Sequence, residues 1–279
     1  MSDHFRPLSP RVGAETRVQR HEITNPAFIQ ECLESLEHYG VLVFRRLGLS
    51  DAEQVAFSSL LGEVIPQGRI QPDGSREVIF KITLDEKEND AAEYLKSTIH
   101  WHIDGVFDET PPVRATILTG RRLAKVGGAT EFCNTYAAYD DLTPDEQRRC
   151  DSLRIMHSLA ASHRVWNPDA GPEEKERWRK RRAPKEHPLV WHHRSGRKSL
   201  VIGMTVDYVV GKADSDSRAF LQRLTSHVTR PENVYHHDWE VGDLVIWDNC
   251  GTMHRATPYD PSSGRMMHRT VLMGTESIV

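Results

Sequence analysis

Long apolar runs are missing from this chain. None approaches the roughly 18 consecutive residues that would span a bilayer, and the opening stretch MSDHFRPLSPRVGAE is polar where a secretory signal would be apolar. A cytoplasmic location with no membrane association is the expectation. Cysteine is sparse: Cys32, Cys133, Cys150 and Cys250 include no C-x-x-C pair, which argues against a disulfide framework and against a structural zinc knuckle. Neither sign of charge dominates. Lys+Arg 36 against Asp+Glu 40 gives a net charge of -4, whereas a nucleic-acid binder would carry a basic excess. There is no internal repeat, no low-complexity linker, and no G-x-G-x-x-G, P-loop or G-x-S-x-G motif, so the usual nucleotide and hydrolase signatures are excluded. What the chain does have is histidine, 15 in 279 residues, the commonest metal ligand and proton carrier.

A chain of this length can bury a sizeable core as one large barrel or sandwich, so a single domain over 1–279 is expected. Asn25 and Pro26 read as the N-cap and first residue of a helix. Phe28, Ile29, Cys32, Leu33 and Leu36 follow at helical spacing, and Gly40 closes the element. Val41–Phe44 is a short buried strand, and Ser50-x-x-Glu53 is a capping box that opens a second helix ending at Gly62. From about residue 77 short strands dominate: Val78–Phe80, the segment from His100 to Asp104, Ala115–Leu118, Thr130–Phe132, Leu153–Ser158, Leu189–His192, Leu200–Ile202, Val234–Trp239, Leu244–Trp247 and Met266–Met273. Helical patches at 135–150 and 216–228 interrupt them. Many short strands between turn signals predict a mostly β architecture with flanking helices, a barrel or double-sheet jelly roll. Residues 160–187 are the least strand-like and carry Lys175, Arg177, Arg179, Lys180, Arg181 and Arg182. Such a run is ordinarily a solvated helix face; the alternative is a lid that closes over an anionic substrate.

Chemistry begins at Trp101-His102-Ile103-Asp104. In a strand, residues i and i+2 share a face, so His102 and Asp104 converge. An imidazole and a carboxylate make two-thirds of the facial triad diagnostic of non-haem Fe(II) oxygenases. An isolated H-x-D is weak evidence, since a satisfied surface histidine explains it equally. His254 is the best third ligand: it follows the buried Leu244–Trp247 strand and the polar turn Asp248-Asn249-Cys250. Alternation over 265–270 then puts Arg265, Met267 and Arg269 on one face. Two inward guanidiniums call for anions; arginines facing solvent are the competing reading.

Trp101-His102-x-Asp104, Gly127-Gly128-Ala-Thr130, Trp247-Asp248-Asn249…His254-Arg255 and Arg265-x-x-x-Arg269 resemble, in order and spacing, the Fe(II)/2-oxoglutarate dioxygenases of the taurine dioxygenase and 2,4-dichlorophenoxyacetate dioxygenase family. The resemblance covers most of the chain and is stronger to the aryloxyalkanoate members. It implies a double-stranded β-helix with flanking helices, Fe(II) on His102, Asp104 and His254, and 2-oxoglutarate held by Arg265 with help from Thr130. It also implies Arg269 on the anionic group of the prime substrate, with O2 as the oxidant and succinate and CO2 as products. No separate acid or base is assigned. The implied substrate is a small anionic organic molecule, a carboxylate of aryloxyalkanoate-like or amino-acid-derived kind. Sulfonate or sulfate-ester cleavage, and a non-catalytic jelly-roll metabolite binder, are the alternatives. A homo-oligomer is expected. The chain departs from the pattern twice. Lys96-Ser97-Thr98-Ile99-His100 stands where taurine enzymes commonly carry an asparagine, which offers Thr98 as a substrate contact, and Cys250 stands where many members have arginine. The other histidines have no family role. The pairs His192-His193 and His236-His237 alternate faces and lack ligand spacing, which speaks against a second metal site.

Overall fold

A computed structural model describes residues 4–85, 87–89, 95–107 and 111–279. The fold is mixed α/β with several sheets, more helical than the strand-rich sequence pattern suggests. The largest sheet orders its strands Arg6–Pro7, Ala14–Thr16, Val41–Phe44, Leu244–Asp248, Ala115–Arg122, Met266–Leu272 and Val64–Ile65, with Phe80–Ile82 also paired to Met266–Leu272. All its pairings are antiparallel except that of Ala14–Thr16 with Val41–Phe44. A three-stranded sheet places Thr130–Asn134 between Val234–His237 and Thr252–Ala256; a second joins Val206–Val209, Arg154–His157 and Lys185–Pro188.

Period-two alternation divides the large sheet into two faces. Leu42, Phe44, Ile117, Leu244 and Ile246 pack against the helices Pro26–Tyr39 and Asp51–Leu61 through Phe28, Leu36, Phe57 and Leu61. Each such buried side chain contributes roughly 1.5–3 kcal/mol of hydrophobic stabilisation. Val41, Val43, Leu118, Val245, Trp247 and Met267 point the other way and meet Phe132 of the three-stranded sheet. The candidate site opens between these two sheets.

Both helices begin and end where their local chemistry dictates. Asn25 caps the first and Gly40 closes it at φ 72, and Ser50 and Glu53 cap the second reciprocally. Thr143 and Glu146 do the same for Pro144–Asp151. Gln54 sits fully buried on the second helix. Its amide donates to the His268 carbonyl at 3.0 Å and its oxygen accepts from Thr119 at 2.8 Å, so the buried group is satisfied rather than costly.

Residues 160–187 form the helices Leu159–Trp166 and Pro172–Arg181 and then enter the strand Lys185–Pro188. Trp178 packs against Ala160 and Ala170. The second helix has Glu173 and Glu174 in its first turn and Arg179, Lys180 and Arg181 in its last, which complements the helix dipole. No helix among the described residues is long and apolar enough to cross a membrane.

Candidate metal centre and its clefts

The segment from His100 to Asp104 is not the strand its pattern predicts. His102 makes a single antiparallel bridge to His254, with reciprocal backbone bonds of 3.0 and 2.9 Å, and the chain turns at once through 104–107. Gly203 enforces this: its backbone packs so close that an added Cβ would lie 3.0 Å from the Trp101 carbonyl oxygen and 3.2 Å from the His102 Cα, at φ +138. His102 and Asp104 still converge, held by that bridge rather than by strand pleat. His254 comes from the strand Thr252–Ala256, where it lies opposite Phe132.

One donor atom each from His102, Asp104 and His254 lies within 4.8 Å of the others, and the two rings are 4.2 Å apart. The His102 Nδ1–H donates to the His100 carbonyl at 2.8 Å, which leaves the Nε2 lone pair of the neutral ring free. Burial depresses both rings, His254 to about 3 with His102 adding to the effect, so both are neutral and able to ligate. Burial pushes Asp104 up, but His254, Arg269, His102 and a 2.9 Å hydrogen bond from the Thr116 hydroxyl outweigh it and hold the carboxyl at about 2. Asn249 donates in turn to the Thr116 oxygen at 2.9 Å, so the carboxylate is oriented by a chain of two donors. The buried His254 Nδ1 has no hydrogen-bond partner among the described residues. Two neutral imidazoles and one carboxylate directed at one point are the donor set that suits a divalent iron-type ion.

Two clefts meet at this point. His102, Asp104 and Arg269 line both. The first also takes in Thr98, Thr130, His254, Tyr259 and Arg265. Arg265 is 3 % exposed; one of its terminal nitrogens donates to the Gly128 carbonyl at 2.9 Å, and its guanidinium lies 4.8 Å over the Tyr259 ring. No carboxylate among the described residues pairs with it, and burial lowers its pKa. It reaches the cleft from the loop before Met266–Leu272, across a register shift at Met266, not through simple alternation. Gly127 and Gly128 make room: both have positive φ, and a Cβ on Gly128 would stand 2.8 Å from the Arg265 Nε. Thr130 accepts from the Trp239 indole at 2.9 Å, which leaves its hydroxyl proton to donate. Thr98 lines the same cleft from the short 3-10 helix Lys96–Ile99, but its hydroxyl already donates to the Leu95 carbonyl at 2.7 Å.

The second cleft, about 260 Å³, adds Gln67, Ile103, Val106, Phe107, Leu159 and Arg182. Arg269 reaches it from an inward position of its strand, donating to Gln67 at 2.8 Å, 3.9 Å from Asp104 and over the Phe80 ring at 4.8 Å. Of the basic run, Arg182 alone lines this cleft among the described residues; it donates to the Phe107 carbonyl at 3.1 Å. Glu176 pairs with Arg179 and Lys180 at the surface. Gln67, Thr116 and Tyr259 carry no motif, and only tertiary contact reveals them; Asn249 belongs to the Trp247-Asp248-Asn249 motif, but its bond to Thr116 is visible only in the fold.

The model of the taurine catabolism dioxygenase TauD, TfdA family matches residues 4–271. The chain is 32% identical to an alpha-ketoglutarate-dependent 2,4-dichlorophenoxyacetate dioxygenase from Burkholderia sp., over 98% of this chain and 94% of that protein. It is 33% identical to an alpha-ketoglutarate-dependent sulfate ester dioxygenase from Pseudomonas putida, over 96% and 88%. Among solved structures, AAD-2 in complex with Mn(II) and N-oxalylglycine superposes with a TM-score of 0.81 at 28% identity, covering 99% of this chain and 98% of that one.

Proposed function

The chain belongs to the TauD, TfdA family of 2-oxoglutarate-dependent dioxygenases, and from that premise we propose that it hydroxylates a small organic carboxylate, aryloxyalkanoate-like or amino-acid-derived. In the balanced reaction, substrate R–H, O2 and 2-oxoglutarate give R–OH, succinate and CO2. His102, Asp104 and His254 hold Fe(II), which supplies the redox chemistry that couples O2 to decarboxylation. The large sheet and the sheet around Thr130–Asn134 act as the two layers of a double-stranded β-helix, in one domain over 1–279. The single observation that carries the reading is Arg265: a buried guanidinium without a carboxylate partner among the described residues, beside Thr130 and lining the same cleft as the His102–Asp104–His254 set. Such a cation is costly unless an anion completes it.

The chain's own residues divide the work. Arg265 binds the distal carboxylate of 2-oxoglutarate through its planar fork, and the Thr130 hydroxyl donates beside it. Thr116 and Asn249 keep Asp104 oriented. Phe80, Ile82, Leu118 and Trp247 line the co-substrate cleft and exclude water. Arg269 takes the substrate's anionic group. The apolar lining of Ile103, Val106, Phe107, Val113, Leu159 and Val271 accepts its body, which supports an anion with an apolar tail. Residues 160–187 act as the lid, contributing Ser162 and Arg182 to that wall beside the adjoining Leu159; Thr98 is a minor contact.

Anaerobic chain loaded with Fe(II) and 2-oxoglutarate, then exposed to O2 with a panel of aryloxyalkanoates, N-acyl amino acids, alkyl sulfates and sulfonates, tests this. Substrate-stimulated succinate with a hydroxylated carboxylate is expected. Stimulation by sulfates or sulfonates alone would transfer the reading to that class, and no stimulation by any anion would favour a binding protein.

A further inference from the structure

Away from the iron-type site, the fold gathers a second set of metal-binding side chains. His193, just past the strand Val190–His192, Cys250 in the turn before Thr252–Ala256, and Glu276 in the C-terminal tail each bring one donor atom within 4.8 Å of the others. The residues that line the cavity over them, about 220 Å³ in volume, are shared with neither cleft around His102. The histidine pairs do alternate faces, His192 exposed and His193 buried. What pair spacing could not show is that His193 meets partners from two remote parts of the chain.

Hydrogen bonding fixes what His193 offers. The Ser199 hydroxyl has one proton and donates it to the Cys250 carbonyl at 2.6 Å. It can therefore only accept from His193 Nε2, at 2.8 Å, so Nε2 carries the ring proton. Nδ1 then faces a Glu276 carboxylate oxygen at 2.5 Å, and for a neutral ring both are acceptors. Two electron pairs so close require a cation between them, a proton or a metal. His193 is 3 % exposed in its side chain and Glu276 18 %, so water screens the pair little. The other Glu276 oxygen is held by the Arg194 N–H at 3.1 Å, which fixes the carboxylate. The Cys250 thiol, half-buried, leans on Asp248.

The geometry points to a second metal site, in which His193 Nδ1, Cys250 Sγ and a Glu276 oxygen bind one borderline-soft divalent cation of the zinc type. An imidazole, a thiolate and a carboxylate are the nitrogen, sulfur and oxygen ligands zinc accepts, and three protein ligands leave a fourth position for water from the cavity. Zinc's tetrahedral donors stand roughly 3.3 Å or more apart, so the His193–Glu276 contact opens slightly on binding. The thiol loses its proton to solvent as the sulfur–metal bond forms, leaving no change of oxidation state.

Metal-free, full-length chain titrated with Co(II) under anaerobic conditions reads this site directly, because a thiolate ligand gives a near-ultraviolet charge-transfer band that a His/Asp/His site cannot. Wild type is expected to bind two Co(II) per chain and to show the band, with Zn(II) displacing it. Cys250→Ser should remove the band and one equivalent of metal. His193→Ala and Glu276→Gln should weaken the band-forming site by roughly tenfold or more, while His102→Ala should leave the band in place. One Co(II) per folded wild-type chain without a thiolate band overturns the inference, and so does a band that survives Cys250→Ser or disappears in His102→Ala. The proton-only alternative, a plain His193–Glu276 ion pair, predicts the first of those failures.

Discussion

Arg265 and Arg269 are the same residue type four positions apart, yet their surroundings set them different tasks. Arg265 is sealed in with a carbonyl and an aromatic face and has no carboxylate among the described residues. Arg269 already leans on Gln67 and lies 3.9 Å from Asp104. Removing one partner of a buried charge pair costs about 2–4 kcal/mol, roughly 30- to 1,000-fold in affinity. Arg265→Gln should therefore raise the 2-oxoglutarate KM into that range, and Arg269→Gln should do the same for the prime substrate while moving 2-oxoglutarate little. Steady-state kinetics with each co-substrate varied separately decides it: equal losses in both variants would contradict the division of labour. The triad candidates were legible in the sequence because residue type, order and spacing all spoke together. Gln67 and Thr116 were not, nor was the bond from the motif residue Asn249 to Thr116, since an ordinary amide or hydroxyl gains meaning only from what it touches.

At the level of elements, local chemistry was the legible part. The capping boxes at Ser50/Glu53 and Thr143/Glu146, and the Asn25-to-Gly40 helix, are decided within a few residues and occur where the sequence places them. The strands Ala14–Thr16 and Val206–Val209 carry no readable local signal, because strands so short take their identity from a partner far away in the chain. Around His102, alternation gave the right convergence for the wrong reason, the true cause being the His254 bridge and the close approach of Gly203. The Gly127-Gly128 turn is where backbone conformation and ligand chemistry meet. Gly128→Ala forces a Cβ into a left-handed conformation and to within 2.8 Å of the Arg265 Nε. The backbone strain alone costs about 1–2 kcal/mol. Because the displaced atom belongs to Arg265, the larger expected effect is a roughly tenfold or greater rise in the 2-oxoglutarate KM. Fe(II) affinity, measured by metal titration without co-substrate, should stay within about twofold, a difference of roughly 0.4 kcal/mol. A matching loss of metal affinity would mean the turn supports the whole site, not Arg265 in particular.

Across the whole molecule, the abundance of histidine becomes a property of the folded state. His100, His102, His157, His187, His193, His237 and His254 all sit below their ordinary pKa, with burial the largest cause in each. His157 isolates the effect best, being fully buried and outside the proposed metal ligands. Its Nδ1 meets the Thr205 hydroxyl at 2.8 Å, its Nε2 has no partner among the described residues, and the His187 ring is 5.4 Å away. Burial, with His187 adding to it, depresses His157 from 6.5 to about 3. Well above pH 6.5 neither the folded nor the unfolded ring holds a proton to any extent, and the group has almost no effect on the pH dependence. Between 6.5 and 3 the unfolded chain takes up a proton that the folded chain refuses, so stability falls as pH falls. The full slope is about 1.4 kcal/mol per pH unit for one proton. His157→Asn should remove that share: in metal-free chain, chemical denaturation from pH 7.5 to pH 5 should show a shallower loss of stability than wild type. Any packing cost of the substitution should appear as a constant offset above pH 6.5. Parallel curves for the two chains would mean that His157 accepts a proton in the folded state, and that the acid sensitivity comes from the other buried rings.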